Sequence, residues 1–316
     1  MVTMKKRTII CVVGPTASGK TDLSIQLALR FNGEVVSCDS MQIYRKMSIG
    51  TAKPTEDEKC GIPHHMIDIV DPSEPYSVAQ YVTQASSCIE DIIARERTPI
   101  ICGGTGMYLD ALLYGLHEVA EQSECERKKL NDRVKTDGLS SLYDELCSVD
   151  PKSALRIDAN NERRIIRALE VFHATGIPLT RHHEQSRQNP VYDSLILGIS
   201  FPERRALYER INYRVELMMD AGLLDEVRMV NNLQPPPCYT SMQAIGYKEF
   251  AGVLTGEMSI EMAVSNIKQS SRRLAKRQIT WFKKTKGIHW LEADVCNVSQ
   301  SLLEQSLQII KLKDYK

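Results

Sequence analysis

A chain of 316 residues can bury a large core and divide into two lobes. Its 40 Lys and Arg balance 40 Asp and Glu, which excludes an overall basic coat for nucleic acid, so any polyanion must be met by a local patch. Nine cysteines, from Cys11 to Cys296 with no C-x-x-C pair, exclude a disulfide frame or zinc site and point to reduced thiols in the cytoplasm. The basic Lys5, Lys6 and Arg7 precede an apolar run at 9–13 that reads as a buried strand. That run breaks at Gly14-Pro15, too short for a signal peptide, and no stretch nears the ~18 apolar residues of a membrane span. The eight residues GPTASGKT follow, and a helix with Leu23, Leu27 and Leu29 is predicted over 22–30. A second strand at 34–38 ends at Asp39, and a short strand is predicted at 66–70. Residues 77–95 read as a helix with Tyr81, Ala85, Cys88 and Ile92 at helical spacing. A strand at 99–102 then runs into Gly103-Gly104-Thr105-Gly106. This alternation implies a parallel sheet with helices on both faces.

From about His117 the texture changes to charged helical stretches at 121–146 and 161–174. Asp158, Asn160 and Asn161 offer caps before the second, and Gly176 and Pro178 end it. Residues 182–190 are polar and loop-like, and strand character returns at 195–201. Then come a helix at 203–220, a break at Pro235-Pro236-Pro237, a long helix at 260–284 and a late strand at 288–291 that closes the sheet. The expectation is an α/β fold: a phosphate-binding-loop type parallel-sheet core at 1–118 and 192–316, with an all-helical insertion at 119–191.

Gly14, Pro15, Thr16, Ala17, Ser18, Gly19, Lys20 and Thr21 fit G-x-x-x-x-G-K-[ST] between a strand and a helix. Backbone N–H groups there converge on phosphate oxygens at a helix N-terminus, Lys20 reaches the outer phosphate, and the Thr21 hydroxyl holds Mg²⁺. Asp39, at the tip of a neighbouring strand, suits either a metal and proton-transfer role or, with Ser40, a turn cap. A nucleotide hydrolase needs a strand ending in an acid. Here the strand ending at Cys102 delivers glycines and Thr105; Asp68 or Asp71 could supply the acid, but Asp71-Pro72-Ser73 looks like a turn, which favours group transfer from a diphosphate over hydrolysis. The loop, Asp39 and Thr105 all follow strand C-termini and so converge on one crevice.

The helix at 260–284 opens a second signal: Lys268, Arg272, Arg273, Lys276, Arg277, Lys283, Lys284 and Lys286 occur with no acid among them, a candidate polyanion-binding face. Val264, Ile267, Leu274 and Trp281 fall on its apolar side. Arg163, Arg164 and Arg167 make a smaller patch. Arg210 and Arg214, four apart, suit either phosphate binding or solvation. His64-His65 and His182-His183 have no ligand at metal spacing and read as local hydrogen bonding, and Cys11, Cys38 and Cys102 read as core.

The ordered set GPTASGKT (14–21), DSMQIYRKMSIGTAKP (39–54), PHHMIDIVDP (63–72), GGTGMY (103–108), RRIIRALEV (163–171), AIGYKE (244–249) and LAKRQITWFKK (274–284) resembles the tRNA dimethylallyltransferases, in order from about Thr8 to Leu291. Without a Cys/His zinc-finger extension after these motifs, the resemblance is to the compact bacterial form. It implies dimethylallyl diphosphate, Mg²⁺ and the tRNA anticodon stem-loop as substrates and partners. It implies Asp39 as the base on an adenine N6, with Thr105 fixing the nucleophile and Arg214 joining Lys20 and Thr21 on the diphosphate. It assigns tRNA contacts to Asp39, Ser40, Met41, Gln42 and Thr105, with Met41 larger than usual there, and to Arg127, Arg163, Arg164, Ile165, Ile166 and Arg167 of the insertion. It adds Gln243, Gly246, Lys248, Arg272, Lys276, Arg277 and Gln278 from the core. A monomer is expected, since no long heptad or large apolar stripe asks for a partner. Rival classes are a prenyl transferase for free adenine nucleotides, a small-molecule kinase, or a non-catalytic RNA-binding regulator.

Overall fold

The computed structural model describes residues 8–115, 124–186, 190–294 and 297–312. Lys5 to Arg7, His117, the 118/119 boundary, the start of the helix predicted from 121, residues 187–189 and Cys296 lie outside the described residues. In chain order the elements begin β1 (Thr8–Val13), α1 (Lys20–Arg30), β2 (Gly33–Ser37), α2 (Glu56–Lys59), β3 (His64–His65), α3 (Val78–Ala94), β4 (Thr98–Gly103) and α4 (Gly106–Tyr114). Helices α5 (Glu124–Val149), α6 (Pro151–Ala154), α7 (Glu162–Thr175) and α8 (Leu179–Ser186) follow. The chain continues through β5 (Asp193–Ser200), α9 (Arg204–Asp220), α10 (Leu223–Asn231), α11 (Ala251–Leu254), α12 (Ile260–Phe282), β6 (Ile288–Glu292) and α13 (Val298–Leu312). Two compact units form, one from Met1–Asp110 with Tyr192–Lys316, the other from Ala111–Val191.

The first unit holds one six-stranded sheet in the order β3-β2-β4-β1-β5-β6, and every neighbouring pair is parallel. Strands covered on both faces need continuous apolar runs. The sequence TIICVV of β1 meets that need, and all of it is buried. Val13 pairs with Gly103 and Gly198, and Ser37 pairs with Cys102, so the carboxyl ends of β1, β2 and β4 lie side by side. The core packs Ile10, Val12, Leu23, Leu27, Val35, Ile100, Leu195, Leu197 and Leu291 with Leu302 and Ile310 of α13.

Local signals set most helix starts. Ser77 and Gln80 form a capping box on α3, and Ser259 accepts from the Met262 N–H at the head of α12. Three expectations need correction. The strand predicted at 66–70 is absent, because Met66 (φ 63°) and Asp68 (φ 56°) are left-handed. Pairing moves to His64–His65, and Val70 makes only a bridge to Tyr44. Residues 182–186 of the polar stretch predicted as a loop belong to α8 instead. The start of α8 is held from a distance: buried Asp150 accepts from the Thr180 N–H (3.0 Å) and hydroxyl (2.7 Å). Finally, the buried line of α12 is Ala263, Ile267, Ala275, Gln278 and Phe282, while Trp281 is exposed and donates to Asp110.

The regular elements of the second unit's described residues are all helices. Its core joins Leu130, Leu142 and Leu146 of α5 with Ile165, Ile166, Ala168 and Leu169 of α7. Helix α5 breaks at Gly138 (φ 82°, ψ 159°), and α7 runs from an Asn161 cap to a left-handed Gly176. Buried Glu170 sits 3.1 Å from Arg167 and 3.6 Å from Arg127.

Candidate active site

Three strand ends build one cavity of about 380 Å³ in the first unit. The loop after β1 contributes Thr16, Ala17, Lys20 and Thr21, and the segment after β2 contributes Asp39, Ser40, Met41 and Gln42. The turn after β4 contributes Gly103, Gly104 and Thr105. Helices α9 and α12 supply Arg214 and Arg277, and the stretch before α11 supplies Gln243 and Lys248. Among the described lining residues Lys20, Arg214, Lys248 and Arg277 are cations and Asp39 is the only acid. Such a site favours a multiply charged anion.

Lys20 donates to the Pro15 carbonyl (2.7 Å), and burial lowers it to about 8, with Arg214 pushing the same way. Burial likewise lowers Arg214, whose guanidinium, among the described residues, donates to the Ala52 carbonyl alone, at 3.5 Å. Ser18 is fully buried, and its hydroxyl finds no partner among the described residues. An orphaned buried hydroxyl inside a phosphate-binding loop fits a ligand oxygen at that place. Asp39 Oδ1 accepts from the Met41 N–H (2.9 Å), so the turn-cap reading holds for one oxygen. Thr105 is pinned beside it: its N–H donates to the Cys38 carbonyl (3.2 Å) and its hydroxyl accepts from the Ser40 N–H (3.1 Å). This approach needs a bare backbone, since a Cβ at Gly103 would lie 2.0 Å from the Cys38 oxygen.

Several predicted residues fall elsewhere. Ile165 (0 % exposed) and Ile166 (4 %) are core of the second unit, so their side chains cannot meet RNA; they fix the helix that carries exposed Arg163 and Arg164. Arg127 and Arg167 are paired with Glu170. Gln278, by contrast, lines the cavity and is held there, accepting from the Thr16 N–H (2.8 Å) and donating to the Gly104 carbonyl (3.1 Å). It thereby ties α12 to the phosphate-binding loop. Arg272 donates to Asn212 (2.6 Å) and Lys268 pairs with Glu216 (2.8 Å), which leaves Arg273, Lys276, Arg277, Lys283, Lys284 and Lys286 exposed on and just past α12. Gly246 is left-handed (φ 100°) and its N–H donates to Glu249 (2.9 Å). Arg210 donates to the Ala17 carbonyl (3.0 Å), so it braces the loop rather than facing solvent. Cys11 and Cys38 are core, but Cys102 lines the cavity. His65 bonds Glu34 (2.7 Å) and His64 the Ile62 carbonyl (2.8 Å).

Sequence reasoning missed the apolar wall, made by Ile211, Val215, Met218, Ile245, Ile267 and Leu274 from three separated segments. Alternation of α9 and α12 between apolar and charged positions carried the signal, but not which apolar positions face a ligand.

The charge of Lys20 sets a pH limit. An anion is held by the protonated amine, so its binding must restore a proton once pH exceeds the lowered value of about 8. Comparing pyrophosphate affinity of the wild type with Lys20→Met by calorimetry should show a constant advantage below about pH 8, shrinking by up to about tenfold per unit above it. A pH-independent difference would remove Lys20 from the anion's contacts. The linked effect on folding has the opposite sense: the unfolded chain binds the extra proton between about 8 and the usual lysine value, so this residue's penalty fades as pH rises.

A phosphate-binding loop on a parallel sheet, with one acid and four cations lining the same cavity, fits a transferase acting on a phosphorylated substrate. The IPP transferase family model matches residues 42–285 and the isopentenyl transferase model residues 7–68. The chain is 47% identical over 310 residues to a tRNA dimethylallyltransferase of Caldanaerobacter subterraneus subsp. tengcongensis, covering 96% of this chain and 98% of that one. A crystal structure of tRNA delta(2)-isopentenylpyrophosphate transferase from Staphylococcus epidermidis matches with a TM-score of 0.70 at 41% identity, over 96% of this chain and 99% of that one. A eukaryotic dimethylallyltransferase acting on tRNA matches with a TM-score of 0.79 at 32% identity, over 96% and 80%. The chain belongs to the tRNA dimethylallyltransferase family.

Proposed function

We infer that this enzyme transfers the dimethylallyl group of dimethylallyl diphosphate to N6 of the adenosine on the 3′ side of the anticodon in tRNA, releasing diphosphate. The observation that carries the reading is the shared cavity, in which one carboxylate, Asp39, faces Lys20 and Arg214 across the loop after β1. The loop's N–H groups and Lys20 bind the diphosphate, and Arg214 opposes the charge that grows as it leaves. Asp39 orients the N6 amine with its free oxygen and takes its proton as nitrogen bonds to the allylic carbon. Thr105 keeps the turn that bears Asp39 in register. The apolar wall excludes water from the hydrocarbon chain. The Thr21 hydroxyl lines the same cavity and suits Mg²⁺, a hard cation that prefers oxygen ligands. When bound, Mg²⁺ supplies further neutralisation of the leaving diphosphate.

An adenine held in a stacked loop must be extruded to reach a cavity of this kind. We assign the anticodon stem-loop to the exposed arginines Arg163 and Arg164 and to the basic face of α12. Among the described residues no helix is long and apolar enough to cross a membrane, and we propose a cytoplasmic monomer. Each phosphate contact adds about 0.7–0.9 to the slope of log K against log salt. Lys276→Ala and Arg277→Ala should each lower the tRNA-binding slope by that amount, whereas Lys268→Ala should barely move it. An unchanged slope for both would take α12 out of the footprint.

Incubation with labelled dimethylallyl diphosphate, Mg²⁺ and either bulk tRNA or AMP tests the reading directly. Label is expected in tRNA. Label in AMP alone would make this a free-nucleotide prenyl transferase, and label in neither would sink the transfer reading.

A further inference from the structure

The segment 48–53 has no acid, base or nucleophile that the reaction uses, yet its backbone forms part of the cavity through Gly50, Thr51 and Ala52. Its carbonyls do the holding. Gln42 Nε2 donates to Thr51 O (3.3 Å) and Ala52 O (3.1 Å), and the same Ala52 oxygen receives Arg214. Gln42 Oε1 in turn accepts from Ser37 of β2 (2.9 Å). The position of this segment therefore sets the position of two side chains that flank Asp39.

Besides its own turn bonds, from the Ala52 N–H to the Ile49 carbonyl and from the Lys53 N–H to the Ser48 carbonyl (both 3.0 Å), the segment is gripped by one carboxylate from α10. Glu226 Oε2 accepts from the N–H groups of Ser48 and Ile49, both at 2.8 Å, and Oε1 accepts from the Gly50 N–H at 2.9 Å. Oε1 also receives the hydroxyl of buried Tyr247 at 2.6 Å. All four acceptor sites of an ionised carboxylate are thus engaged. Three successive N–H groups turned to one centre make an anion-binding concavity. Here the anion is built into the chain. The Tyr247 ring closes the far side, where a Cβ at Gly50 would come within 2.5 Å of it, and Ala52 takes a left-handed conformation (φ 51°) that the bonds must enforce.

We propose that Glu226, with Tyr247, is a positioning residue for prenyl transfer: it holds the 48–52 backbone so that Arg214 and Gln42 stand in working register around the diphosphate and Asp39. The inference rests on the transfer reading above for the roles of Arg214 and Asp39. Glutamine in place of Glu226 has one acceptor oxygen and turns an NH₂ toward backbone N–H groups, so it releases the segment without changing side-chain size.

The test uses Glu226→Gln, Tyr247→Phe, Arg214→Ala and the double variants with Arg214→Ala, in the full chain. Two readouts are taken, binding of inorganic pyrophosphate with Mg²⁺ by calorimetry and kcat/KM for tRNA prenylation. A misplacement of about an ångström costs on the order of 10²-fold in rate, so Glu226→Gln should lose about 10- to 100-fold in kcat/KM, with weaker pyrophosphate binding. If Glu226 acts through Arg214, the same change in the Arg214→Ala background should cost less than about threefold, a non-additivity that general destabilisation would not produce. Multiplying losses, or unaltered pyrophosphate binding in Glu226→Gln, would overturn the assignment. Should Glu226→Gln fail to fold, Tyr247→Phe, which removes one hydrogen bond, carries the same cycle: non-additive losses support the positioning role and multiplying losses overturn it. If the wild type does not prenylate tRNA, the transfer reading fails, and the pyrophosphate cycle still decides the positioning role.

Discussion

Asp39→Ala is expected to lower kcat for tRNA prenylation by about 10²–10⁴-fold, the span that a positioned proton acceptor contributes. tRNA affinity should stay within about threefold, because the phosphate contacts that dominate it come from other residues. The alanine variant alone is ambiguous, since Asp39 Oδ1 also caps the Met41 N–H. Asp39→Asn separates the roles. Its amide oxygen can still accept that bond at 2.9 Å, but the side chain cannot take a proton. An asparagine variant as impaired as the alanine variant assigns the loss to the carboxylate. Near-wild-type turnover in Asp39→Asn would reduce Asp39 to a turn residue and leave the amine without its base.

Arg214→Ala should cost about 10²–10³-fold in kcat, comparable to removing one preorganised donor from a charge-stabilising site. Among the described residues the guanidinium reaches one carbonyl, at 3.5 Å, while burial lowers its basicity. A desolvated cation with so little compensation is costly to the free protein. Its charge becomes useful when a diphosphate enters and develops further charge on leaving. The effect should therefore appear in kcat more than in KM for tRNA, and Arg214→Lys should restore only part of it, because a point charge cannot repeat a planar fork. A loss confined to KM for dimethylallyl diphosphate would mean that Arg214 binds substrate and transition state equally. Arg210→Ala offers a contrast: that residue bonds the loop carbonyl of Ala17, so its removal should loosen the loop without deleting a charge from the cavity.

The chain order of strands and helices was legible because β1, β2 and β4 are short apolar runs ended by glycine or aspartate, and each is followed by a capped or glycine-initiated helix. GPTASGKT and the GGTG turn were legible for the same reason: their chemistry lies in contiguous backbone. Less could be read where a segment is held from far away. The 66–70 stretch has strand-like composition, yet two left-handed residues break it. The polar α8 looked like a loop because buried Asp150, thirty positions from Thr180, anchors its start.

By itself the sequence determined the class of fold, the phosphate-binding loop, the acid after the second strand and the unbalanced basic helix, since each is written in adjacent residues. Only the tertiary structure decided which members of those sets act together. It withdrew Ile165 and Ile166 into a core, committed Gln278 to the loop and Arg272 to Asn212, and turned Arg214 inward beside Asp39. It also set Glu226 beneath the cavity wall, although nothing around that residue in the chain marks it. The reason is physical: a side chain's partners are set by packing between elements distant in sequence, and hydrophobic period or residue type records only which side of an element is apolar.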